Sequence, residues 1–193
     1  MTSLVLSQLA QGAKNTIVGA VKGADDVASA LRDAVKSQVT GGVKDASGAA
    51  VTGIDAVTDV VTAAVSGASE VGSSATDAAK GAVSSAVSAI SDAGGDVVAA
   101  ATKATSGAVN AAGEVGGDVG SVAVSAVEGS IDAAGSIGQS TAKAAEASTV
   151  AAIQAADAIG SEAGSSVRKA LLNTASLPRD VIEAAIKGSG KSE

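Results

Sequence analysis

The chain has 193 residues, of which 13 are basic and 20 acidic, for a net charge of −7, and it contains no His, Cys, Phe, Tyr or Trp. Its hydrophobic 46% is mostly Ala and Val, so the large side chains that ordinarily fill a close-packed globular core are missing. This composition excludes disulfides and thiolate chemistry, removes the commonest metal ligand and proton shuttle, and argues against a compact enzyme.

The charge is unevenly placed. Residues 1–50 carry five basic and four acidic groups, 51–160 carry three and twelve, and 161–193 carry five and four. An acidic middle without aromatic stacking platforms argues against nucleic acid as a partner, because phosphates select for clustered Lys and Arg. It also argues against strong attraction to anionic lipid.

Residues 1–12 form an N-terminal segment. MTSLVLSQLAQGAK has neither a basic region nor a long apolar stretch, so no secretory signal is expected. The longest uncharged run, residues 1–13, falls short of the roughly 18–20 apolar residues of a membrane span. The expected location is cytoplasmic, either free or peripheral to a membrane or lipid surface.

Residues 13–160 form a low-complexity amphipathic region. Stepping from Ile17 by eleven-thirds of a residue, to within one position, an apolar stripe passes through Val21, Leu31, Val35, Val39, Val43, Ile54, Val57, Val61 and Val65. It continues through Val83, Val87, Ile90, Val98, Val109, Val119, Val127, Ile131 and Ile153, with Ala at most intervening steps. The stripe lapses at Gly72, Gly94, Thr105, Gly116, Gly138 and Thr149. Three turns of a slightly unwound helix consume eleven residues, so this is an undecapeptide helix pattern, and β-strand alternation would not sustain it. Two recurrent charged positions fall on the opposite side, Lys22, Asp33, Lys44, Asp55, Asp77, Asp132 and Lys143 in one and Asp26, Asp59, Glu70, Asp92, Lys103 and Glu114 in the other.

Against helix stand 24 glycines, each costing about 1 kcal/mol relative to Ala in a helix interior. The free monomer is therefore expected to be weakly helical or disordered until it meets a surface or a partner. The doublets Gly41-Gly42, Gly94-Gly95 and Gly116-Gly117 are the expected breaks. They divide the region into rods that either extend end to end or fold back as hairpins, and an eleven-residue period in packed helices gives a right-handed supercoil.

Residues 161–193 form a helical docking segment with a flexible tail. Ser165 is placed to cap a helix carrying Val167, Leu171 and Leu172. Ser176 is placed to cap a second, with Pro178 in its first turn, Leu177, Val181, Ile182 and Ile186 as its apolar residues, and Gly188 as its stop.

Several strings imitate sites. GSGKS at 188–192 lacks the first glycine of a phosphate loop, Ala185 standing there, and GEVGGDVG at 113–120 has no preceding strand. Asp25-Asp26 has no third ligand, so no metal site is expected. A nucleophilic serine has no histidine base, and only a Ser-Lys pair remains open on composition. No catalytic residue and no cofactor is expected. Glycines four apart, Gly113 to Gly117 and Gly116 to Gly120, allow close approach of helices.

The strings VGAVKGADDVASA, VTGGVKDASGAAVTG and AAKGAVSSAVSAISDAGG resemble the eleven-residue repeats of perilipins and synucleins, and more loosely those of group 3 late embryogenesis abundant proteins. That resemblance, over residues 13 to about 160, implies a segment disordered when free that becomes a long helix on lipid or on drying. The acidic middle and the missing aromatic and leucine anchors depart from the lipid-coating families. The Ala/Gly/Val-rich composition is also similar to that of the stalk subunit of actinobacterial uptake hydrogenases, which implies helices assembled around an apolar interior. The expectation is an all-α, non-enzymatic scaffold whose helices self-associate, as a homo-oligomer or in a larger complex, and engage an apolar surface or lipid. The alternatives are a lipid-droplet or membrane-interface coat and a desiccation-protective protein.

Overall fold

The computed structural model describes residues 12, 15, 16, 18, 19, 27–45 and 50–189. Among these the chain is all-α, with eight helices: α1 Val27–Asp45, α2 Ala50–Glu70, α3 Ala75–Asp92, α4 Val97–Glu114, α5 Val119–Ser136, α6 Thr141–Ile159, α7 Ser161–Asn173 and α8 Arg179–Ser189.

The turns are made by glycine and closed by a cap. Gly72, Gly94, Gly116 and Gly138 lie at φ between +66° and +76°, the left-handed region that other residues reach only with strain. In each turn the amide three residues past the helix donates to a carbonyl five residues back: Ser73 to Ala68, Gly95 to Ile90, Gly117 to Ala112 and Gln139 to Ala134, at 2.8–2.9 Å. That bond satisfies a carbonyl the helix end would otherwise orphan. The next helix then opens on a side-chain cap at Ser74, Asp96, Asp118 or Ser140. Both the glycines and the caps recur at a constant interval of 22 residues. Each unit is thus one helix plus a four-residue turn, and such short connections make successive helices antiparallel.

The helices stack in two layers. Every described helix packs on the next and on the next but one, and on no other. Odd-numbered helices form one layer and even-numbered helices the other. Within a layer the helices run parallel: the Thr58 and Thr62 hydroxyls of α2 donate to the Lys103 and Gly107 carbonyls of α4, in the same order along both helices.

Small residues set the spacing. A Cβ at Gly107 would lie 2.6 Å from the Thr58 carbonyl oxygen, and one at Gly129 would lie 2.5 Å from that of Lys80, so α4 meets α2 and α5 meets α3 almost backbone to backbone. The core between the layers is correspondingly built of Ala and Val, in one cluster spanning α1–α5 and a second spanning α4–α8. Four-sided contact buries Ala on faces that the apolar stripe leaves out, among them Ala64, Ala82, Ala104 and Ala126.

Two expected boundaries are corrected. Gly41-Gly42 does not break a helix: α1 runs through both to Asp45. Ser165 does not cap α7, which begins four residues earlier at Ser161, with Gly160 as its cap and no side-chain bond there. Gly160 completes a near-fully extended corner at φ 160°, ψ 162°, so the chain turns before Ser165 is reached.

Substituting alanine at two glycines separates these roles. Gly129→Ala should destabilise by roughly 1–3 kcal/mol through overpacking against Lys80. Gly41→Ala, with nothing within 4 Å of the added methyl, should stabilise by up to about 1 kcal/mol. Urea melts followed by circular dichroism check both, and shifts of equal sign would contradict the stacking.

Candidate interaction surface

The stripe residues point inward. Leu31, Val35, Val39, Val57, Val61, Val65, Val83, Val87, Ile90, Val109, Val127 and Ile153 are buried, and Ile54, Val98, Val119 and Ile131 are half-buried. Ile17 and Val21 lie outside the described residues, as does the side chain of Val43 within α1. Charges expected opposite the stripe are exposed at Asp33, Asp77, Asp92, Glu114, Asp132 and Lys143, while Asp59 is half-buried. Val60, Val97 and Val122, off the stripe, are also buried. Their signal is present in the sequence only as the small residues on either side of the stripe.

The C-terminal pair closes the second cluster. Val167 and Leu171 of α7, Leu177 of the connecting turn and Ile182 of α8 are buried there, with Leu172, Val181 and Ile186 half-buried. α8 opens at Pro178, whose carbonyl accepts from Ile182, and Ser176 is not its cap. The Ser176 hydroxyl instead donates to Glu128 Oε1 of α5. The helix continues through Gly188 to Ser189, and the remainder of GSGKS falls outside the described residues, as does Asp25-Asp26. GEVGGDVG is the α4–α5 turn, in which Gly113 accommodates Ile159, Gly116 supplies the positive φ and Gly120 meets Ser166.

The odd layer is laced by ion pairs, Lys36 to Asp92 at 2.9 Å and Lys80 to Asp132 at 3.0 Å and Glu128 at 3.4 Å. The even layer carries the threonine bonds and a groove of about 460 Å³ between α4 and α6, lined by Val98, Thr102, Lys143, Glu146, Ala147, Val150, Ala151 and Gln154. Gly107 on Thr58 and Gly129 on Lys80 are each 49 residues from their contact, and the same interval joins Ala151 to Thr102. Ala151 stands at the equivalent position of α6 and, with Thr102, lines this groove.

The polar groups of the interior are few. Thr105 and Ser130, both fully buried, share a 3.2 Å hydrogen bond between α4 and α5, and the Ser148 hydroxyl donates to the Ala144 carbonyl one turn back. The hydroxyls of Ser66 and Thr149 have no hydrogen-bond partner.

Among the described residues Lys80, Asp118 and Asp59 are perturbed. The hydrogen bond to Asp132 is the main cause holding the Lys80 ammonium above its ordinary pKa, with Glu128 adding to it against partial desolvation. Lys80 is therefore held as a cation and is unsuited to act as a base toward Ser176, which Glu128 places nearby. Asp118 is held below the ordinary carboxylate range by the Ser121 amide and hydroxyl, and Asp59 is pushed up by burial. Among the described residues no group of three His, Cys, Asp or Glu is placed to hold a metal ion, and no helix is long and apolar enough to cross a membrane.

The described helices form a two-layer all-α stack in which each packs on the next and the next but one. No protein-family model matches the chain, and no curated protein matches it either.

Two carboxylates should respond oppositely to substitution. Asp118→Ala removes the α5 cap and should cost about 1 kcal/mol at neutral pH. Because its folded pKa is depressed, the stability Asp118 contributes is present above the unfolded pKa and lost as pH falls through the folded one. Asp59, raised by burial, opposes folding when ionised, so Asp59→Asn should stabilise at neutral pH and the gain should shrink as pH falls. Urea midpoints of both variants across the acid range check the signs.

Proposed function

We propose that the chain is a non-enzymatic helical scaffold acting as a subunit of a larger complex. The observation that carries this reading is the near-complete inward burial of the stripe, from Leu31 to Ile153, by stacked copies of a 22-residue unit. Each unit equals two undecads, and we read the eleven-residue step as its half-period. Rigid stacked helices hold surface features at fixed spacing, which suits a scaffold.

A lipid or membrane-interface coat would need the same stripe free for the apolar phase. With those side chains packed on one another, apolar engagement falls to the α4/α6 groove and the helix ends nearby. Ala and Val bury less area apiece than Leu or Phe, so the free chain has a shallow stability margin, and partner binding adds to it by mass action.

Purified from its source without detergent, the chain should run with a stoichiometric partner chain and retain its helicity in the absence of vesicles. A monomer whose circular dichroism turns helical only on neutral-lipid vesicles would overturn the scaffold in favour of the coat.

A further inference from the structure

One edge of the molecule is both apolar and acidic. The exposed large hydrophobic residues among those described are Val115, at 39% of its full accessibility, and Ile159, at 43%. They stand at the C-terminal ends of α4 and α6, which stack in parallel, and Ile159 Cδ1 lies 2.7 Å from where a Cβ of Gly113 would be. Half-buried Val71 takes the same place after α2, so positions 71, 115 and 159 recur at an interval of two units. Lone exposed aliphatic residues are ordinary, but these are neighbours at equivalent places in one layer.

Charge frames the same edge. Glu70 and Glu114 immediately precede Val71 and Val115, Asp118 caps α5 from the same turn, and Glu162 lies in the first turn of α7. Residues 69–74, 113–118 and 157–162 together hold five acidic side chains and no Lys or Arg. Among them Asp157 is paired with Arg168 at 2.6 Å. The Ser121 bonds that hold Asp118 ionised keep its charge in place.

We propose that this rim docks a cationic amphipathic helix of a partner protein, whose aliphatic side chains cover Val115 and Ile159 while its Lys and Arg meet Glu114, Asp118 and Glu162. Charge complementarity selects the occupant. A second copy brings a net charge of −7 to an acidic rim, and an anionic membrane is likewise repelled. The assignment rests on the scaffold reading and names the chemistry of its partner.

The test is titration of the ¹⁵N-labelled full chain with a synthetic helical peptide carrying Leu on one face and Lys on the other, and with its counterpart carrying Glu for Lys. Amide shifts should concentrate at residues 113–118 and 157–162, the Glu peptide should not bind, and Val115→Ser with Ile159→Ser should weaken binding by about tenfold or more while the amide spectrum of residues away from the rim stays that of the folded chain. Shifts spread over the whole acidic surface, equal affinity of the double variant, equal affinity for the Glu peptide, a rim-dependent dimer of the chain, or stronger shifts of the same amides by zwitterionic vesicles would each overturn it. Failure of the scaffold reading looks different, because the native chain would then carry no stoichiometric partner. A native partner retained unchanged by the double variant would overturn only the rim.

Discussion

A core built of Ala and Val closes only when helix backbones come together, and the close approach of α2 to α4 and of α3 to α5 meets that constraint here. With Gly107 on the Thr58 carbonyl and Gly129 on that of Lys80, Ala and Val suffice to fill the space between helices. A single methyl at either contact would have to be absorbed by moving a backbone. Dispersion depends steeply on distance, so the many small contacts of such a core survive only while the spacing is kept.

The spacing in turn depends on the turns. Each helix must end at the same phase for its successor to lie in register, and the left-handed glycines at 72, 94, 116 and 138, followed by caps at 74, 96, 118 and 140, impose that phase. Because the chain returns to the same layer every second unit, residues 45 to 49 apart become neighbours in space. That rule places Thr58 beside Lys103 and Ile159 beside Gly113, and it generates both the groove at Ala151 and the aliphatic rim. The surface inherits the periodicity of the core.

The helical class was legible in the sequence because the stripe keeps a helical step for well over a hundred residues. The doublets Gly94-Gly95 and Gly116-Gly117 stand in turns, while Gly41-Gly42 does not, since a glycine pair permits a turn without requiring one and α1 has no cap residue waiting two positions on. The stronger signal was the recurrence of lapses at 72, 94, 116 and 138, which marks positive-φ positions whether or not a second glycine follows. Ser165 and Ser176 misled for a related reason. A capping residue is recognised by its type, but whether it caps depends on where tertiary packing turns the chain, and Gly160 and Pro178 do that earlier or later. The pairing of helices two apart was not legible, because stacked parallel helices leave no mark within one helix. It shows only when Gly107, Gly129 and Ala151 are aligned by the unit length, and so does the surface built upon it.

The measurement that bears most directly on this account is a single intramolecular distance. The chain has no cysteine, so Glu70→Cys with Glu114→Cys gives a unique pair of spin labels at the ends of α2 and α4. Stacked parallel helices lie roughly 10 Å apart between axes, and pulsed electron resonance should then return a short, narrow distribution on the order of 10–25 Å once label length is included. A continuous helical rod over the same 44 positions would separate them by about 66 Å, and a distribution centred there would contradict the stack.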